Sequence, residues 1–241
     1  MEQPSSTADV DIVSAPAPEP VIHNSVWNLE TICFKVENQL FTVIKKDLLG
    51  PGSVFVDMFK VPSGPQPAEG KDADNPIDLH GIKASHFAAF LSVLYPWING
   101  SIELRKQDED SVFGVLHLAN MWRFPKIRHE AVRISSENWI PSKSDAEKIR
   151  LGEEYQVQDW AFNGYTQIIR RKGFKFGDLE NEPYNFDQTL VKKILYLQAE
   201  SGCSRCGNSY SQRRENPMTR ELLHDELARA SDITDDYASL D

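Results

Sequence analysis

Apolar positions change period along this chain, and the changes divide it. From Ile32 they alternate, with Ile32, Phe34 and Val36 on one side and Cys33 and Lys35 on the other. Glu37-Asn38-Gln39 turns the chain into Leu40, Phe41, Val43 and Ile44, so the pattern predicts a β-hairpin. Residues 47–49 and 53–59 read as short helical pieces split by Gly50-Pro51-Gly52, where proline and glycine stop the first. A loop rich in Pro, Gly and Asp follows, and residues 77–80 predict a third strand closed by Gly81.

The period then becomes helical. Phe87, Phe90, Leu91 and Leu94 fall at i, i+3, i+4 and i+7, and Pro96 ends that helix. Val112, Val115, Leu116, Ala119 and Trp122 repeat the spacing. Pro125 restarts a helix at its first position, with Ile127, Ala131 and Ile134 inward. Pro141 breaks the chain, and Ser144 with Glu147 offers a capping box for a helix running toward Tyr155. Trp160, Gly164 and Ile168 lie along another helix, and Leu190, Ile194 and Leu197 along a third. Leu223, Leu227 and Ala230 align at i, i+4 and i+7, a short helix that is marginal alone because its other faces are charged.

These readings set the expected organisation. Residues 1–25 form a disordered acidic tail rich in Pro and Ala, too poor in apolar residues to offset chain entropy. Residues 26–140 form an α+β domain, predominantly helical with a small sheet, and residues 141–200 a helical extension. Residues 201–241 form a mostly disordered acidic tail with the short helix at 219–230.

Charge follows the same division. The 241 residues carry 26 Lys and Arg against 36 Asp and Glu, a net charge of −10. The first 25 residues hold four acids and no Lys or Arg, and residues 215–241 hold eight acids against Arg220 and Arg229. Residues 26–214 are therefore neutral, with 24 of each sign, which argues against a broad nucleic-acid footprint. No apolar run reaches the ~18–20 residues of a membrane span. The N-terminus lacks the pattern of a signal peptide, and three cysteines make no disulfide framework. The expected setting is intracellular, cytoplasmic or nuclear.

Candidate chemistry is sparse. Cys203 and Cys206 make half of a zinc site at best, so they are weak metal candidates and read as an exposed thiol pair. The six histidines are scattered; His117, in an apolar helix, reads as a core-edge histidine satisfied by a carbonyl. Arg170-Arg171-Lys172 and Lys175, near Phe174 and Phe176, form one basic–aromatic patch, better read as a solvated helix C-terminus than as an RNA contact. Glu153 and Glu154 are adjacent on a helix and face different directions. There is no G-x-S-x-G elbow and no phosphate-binding glycine loop. The expectation is a non-enzymatic chain without cofactor, metal, small-molecule substrate or direct nucleic-acid contact. Trp97, in the Tyr95-Pro96-Trp97-Ile98 turn, is either a partner anchor or a cap on the core.

The order of elements resembles a BTB/POZ domain. Residues 41–49 followed by Val54-Phe55-Val56-Asp57-Met58-Phe59 resemble the family's first helical hairpin, with its closing Met-Phe at Met58-Phe59. Ile77-Asp78-Leu79 with Phe87, Phe90-Leu91 and Leu94-Tyr95-Pro96 resembles the next strand and helix, and Met121-Trp122-Arg123-Phe124 the end of the following one. The last two motifs look like the BTB proteins common in fungi, and Leu151-Gly152-x-x-Tyr155 with Trp160 resembles their helical extension. Two positions depart: Ile44 stands where the family usually has His, and Gly52 where a Ser commonly opens the second short helix. The resemblance implies a protein-interaction module, a homodimer face near Leu48, Leu49, Phe55 and Val56, and a scaffolding role toward a protein partner. It also admits a cullin-type ubiquitin ligase adaptor, or a transcription co-regulator acting through a partner.

Overall fold

The computed structural model describes residues 22, 24, 28–61, 69–97, 104–171, 173–201 and 217–231. The hairpin is β1 (Thr31–Val36) and β2 (Gln39–Ile44), antiparallel with Phe34 opposite Phe41. β3 (Ile77–Asp78) lies parallel to β1 on its other side, so the sheet order is β2-β1-β3. Ile32, Phe34, Val36 and Val43 face inward, as the alternation predicts. Gly70 adopts φ +79°, and a Cβ there would lie 2.7 Å from Ile32, so the loop before β3 can press on β1 only through glycine.

Two short helices, α1 (Lys45–Leu48) and α2 (Val54–Met58), follow the hairpin. Ser53 joins them: its hydroxyl donates to the Leu48 carbonyl at 2.6 Å and accepts from the Phe55 N–H at 3.2 Å. A serine therefore does open α2, one residue after Gly52, which bends the chain at φ 74°. The main helices are α3 (Ala84–Leu94), α4 (Glu109–Trp122) and α5 (Pro125–Asn138), with Pro125 in the first turn as expected. The α3 N-terminus is capped from a distance, where Glu37 in the hairpin turn accepts from the Ala84 N–H at 3.1 Å.

The first core lies between the sheet and these helices. Phe34, Phe41, Phe55, Phe87, Phe90, Trp122 and Phe124 meet there with ring centroids 4.9 to 6.3 Å apart, mostly tilted or edge-to-face. His117 does not belong to it: the ring is exposed on the outer side of α4, away from the buried Val115, Leu116 and Leu118. The helical period that groups His117 with apolar neighbours in sequence turns it outward in space.

The extension is α6 (Asp145–Tyr155), α7 (Gln158–Arg170), α8 (Phe176–Glu180) and α9 (Gln188–Ser201). The Ser144–Glu147 capping box forms as predicted. Leu151, Val157 and Trp160 belong to the first core, whereas Ile149, Phe162, Tyr165 and Ile168 join Leu190, Val191, Ile194 and Leu197 in a second. The division expected at residue 140 therefore separates elements but not cores.

The segment after residue 216 is helical where a short helix was expected at 219–230, but in two pieces. It forms α10 (Pro217–Leu222) and α11 (His224–Ala228), with Leu223, Leu227 and Ala230 buried in the second core. Part of the expected acidic tail is thus a built-in piece of the extension.

Candidate interaction surface

The residues around α1 and α2 present two kinds of side chain. Leu48 and Phe55, expected at a partner face, are 0% and 2% exposed and belong to the domain's own core. Packing takes them out of reach, because Leu48 closes under the Ser53 bridge and Phe55 rests on Phe34, Trp122 and Phe124. Leu49 and Val54, on either side of the glycine bend, point outward at 38% and 36% exposure, and Val56 is half-buried. The surface part of the expected face is therefore Leu49 and the edge of Val56, and Val54, which was not among the expected residues, is exposed beside them. Phe55 entered the expected face through the resemblance, which places the face near the two short helices without saying which side of α2 the aromatic cluster occupies.

The same region is stiffened from outside. The Lys45 ammonium lies 5.0 Å from the Phe59 ring centroid and 3.2 Å from Glu30. Tyr95, itself buried, donates its hydroxyl to the Ile44 carbonyl at 2.7 Å, where β2 passes into α1. Burial, and then the Asp47 carboxylate, pushes the Tyr95 phenol well above its ordinary pKa, so it remains a donor. Trp97 stands edge-on to Tyr95 with centroids 5.6 Å apart and is 61% exposed. At that exposure the indole does not cap the core.

Other expected positions fall as follows. Cys203 and Cys206 lie outside the described residues. Cys33 is buried, with the Thr42 hydroxyl 3.8 Å from its sulfur. Within the basic–aromatic patch, α7 ends at Arg170, and Arg171 is engaged by the buried Asp145 carboxylate at 2.6 Å and by the Phe174 ring at 5.7 Å. Arg171 therefore ties the start of α6 to the end of α7. Among the described residues no group of three or more His, Cys, Asp or Glu could hold a metal ion, and no helix is long and apolar enough to cross a membrane.

One polar cluster escaped sequence reasoning. Asp110, at the start of α4, accepts from His86 Nε2 at 2.9 Å and from Lys83 Nζ at 3.0 Å. These bonds, His86 first, hold the Asp110 carboxyl below its ordinary pKa. The approach of His86 depends on Gly114, where a Cβ would lie 2.3 Å from the imidazole. A glycine inside an apolar helix was the available signal. The cluster joins α3 to α4 on the surface and brings no hydroxyl or thiol nucleophile beside the imidazole in any of these bonds.

Comparison of the chain with family models, with curated proteins and with solved structures finds no match.

Proposed function

We propose that this chain is a non-enzymatic protein-interaction module of the BTB/POZ type, self-associating through the face around α1 and α2 and scaffolding a protein partner. The observation that carries this reading is the order of elements. A hairpin, two short helices, a strand parallel to β1 and helices of 11, 14 and 14 residues follow in the sequence that the resemblance implies. The surface supports it: apolar side chains at Leu49, Val54 and Trp97 are exposed over a rigid aromatic core. Exposed aromatic and aliphatic anchors on a stiff base suit partner recognition by burial. A stable pairing of this kind covers ~1,200–2,000 Å² in total.

Light scattering at micromolar concentration tests the self-association. The expected particle is twice the 27.4 kDa of one chain. The pair Leu49→Glu and Val54→Glu should return it to one chain without changing the circular dichroism, because neither side chain is core. A wild-type particle of 27.4 kDa throughout would remove the homodimer from the proposal.

A further inference from the structure

The face that α7 and α9 turn toward the C-terminus has an occupant, the segment 217–231, whose attachment is that of a ligand. Leu223, Leu227 and Ala230 are 0%, 3% and 0% exposed and complete the second core. Glu226, 6% exposed, receives the Lys193 ammonium of α9 at 2.9 and 3.1 Å. Gln158 of α7 donates to the Leu227 carbonyl at 3.3 Å, and the Arg220 guanidinium covers the Phe162 ring at 4.0 Å. The backbone N–H groups of Leu223, Leu227, Ala230 and Ser231 all bond inside the segment. Side chains make these attachments, as in a helix laid into a groove.

Two further facts favour a separable occupant. Its helices have six and five residues, far below the ~12–15 at which an isolated helix holds in water, so they depend on the groove. Residues 202–216, which join it to α9 in the sequence, are polar and rich in Gly, Ser and Arg.

We propose that the α7/α9 groove is a binding site for an acidic amphipathic helix and that residues 217–231 are its built-in, displaceable occupant. The recognition pattern is two leucines four residues apart, a carboxylate three residues after the first for Lys193, and a small residue three after the second. An incoming helix of that pattern displaces the segment and takes its contacts. The site lies on the extension and does not rest on the BTB/POZ reading.

The probe is a fluorescent peptide of residues 217–231, titrated against the full chain. Leu223→Ala with Leu227→Ala in the chain frees the groove and should tighten peptide binding at least tenfold over wild type. Lys193→Glu in that background should weaken it at least tenfold, and a peptide carrying Glu226→Lys should restore it. Equal binding to wild type and to the freed chain, or no binding to either, overturns the proposal. A second measurement does not depend on a destabilised variant: a protease site is placed within residues 202–216 and the chain is cut there. Exchange of the released fragment for labelled peptide, with the body still folded, supports displacement. A fragment that never exchanges, or a body that unfolds when it leaves, makes the segment a permanent part of the core. Exchange of segments between two copies, seen as a doubled mass that the cut abolishes, would also overturn displacement.

Discussion

Gly152 faces the backbone of α7 so closely that a Cβ would lie 2.5 Å from the Ala161 nitrogen. Gly164 repeats the arrangement from the other helix, 2.6 Å from the Asp145 carbonyl. The obstacle in each case is backbone, which cannot swing aside as a side chain does. Gly152→Ala should therefore cost ~1–3 kcal/mol in urea unfolding, against the small gain that alanine brings in an open helix. A neutral or stabilising result would mean that α6 and α7 are free to move apart. Neither close approach is visible in the sequence, where both glycines look like weak points in helices. Ser53 is the opposite case. Its place before an apolar helix is legible as a cap, while its second bond, to Leu48, appears only once the chain has bent.

Elements were more legible than their junctions. The hairpin register, the proline start of α5 and the Ser144 box follow from period and end signals, which act over a few residues. The joint between the first helices and the extension depends on Arg128, which no local pattern marks. Only 5% exposed, it donates to the Asn120 side chain and the Gln156 carbonyl, each at 2.7 Å, while Asn120 donates to the Tyr155 carbonyl at 3.0 Å. Together they donate to the carbonyls of Tyr155 and Gln156, at the C-terminus of α6, which have no amide further along the helix to bond. Burial, with Glu154 behind it, pushes the neighbouring Tyr155 phenol up to about 12. Arg128→Met keeps the bulk and removes the donors, so it should lower stability by ~1–3 kcal/mol in the same urea assay. Amphipathic spacing found the helical tendency of 219–230 and its fitness to dock in a groove, but not the groove itself, since the surface facing Leu223, Leu227 and Ala230 is built from α7 and α9.

Across the whole molecule, acid should be the destabilising direction. The carboxyls of Asp110, Glu147 and Asp187 are held low, first by bonds from His86, from the Ser144 side chain and from the Leu190 N–H respectively. A group held low in the folded chain stabilises fully above its ordinary pKa, and that contribution is lost as pH falls through the folded value. Glu153 works against them, because burial raises it and its ionisation opposes folding as pH rises. Asp108 and Glu130 are held low as well, so with five against one Tm should be level near neutrality and fall below about pH 4, and Asp110→Asn should remove part of that fall. A Tm that rises on acidification would show Glu153 to dominate. The net charge of −10 looked like a property of two loose tails, yet Glu226 and Asp225 lie at the Lys193 ammonium in a folded segment. Period, proline, glycine and caps are local, so the chain alone specifies the hairpin, the helices and their order. Which side of each helix meets which neighbour depends on contacts between residues far apart in sequence. For that reason Phe55 and Leu48 went inside, Leu49, Val54 and Trp97 stayed at the surface, and the C-terminal segment closed the second core.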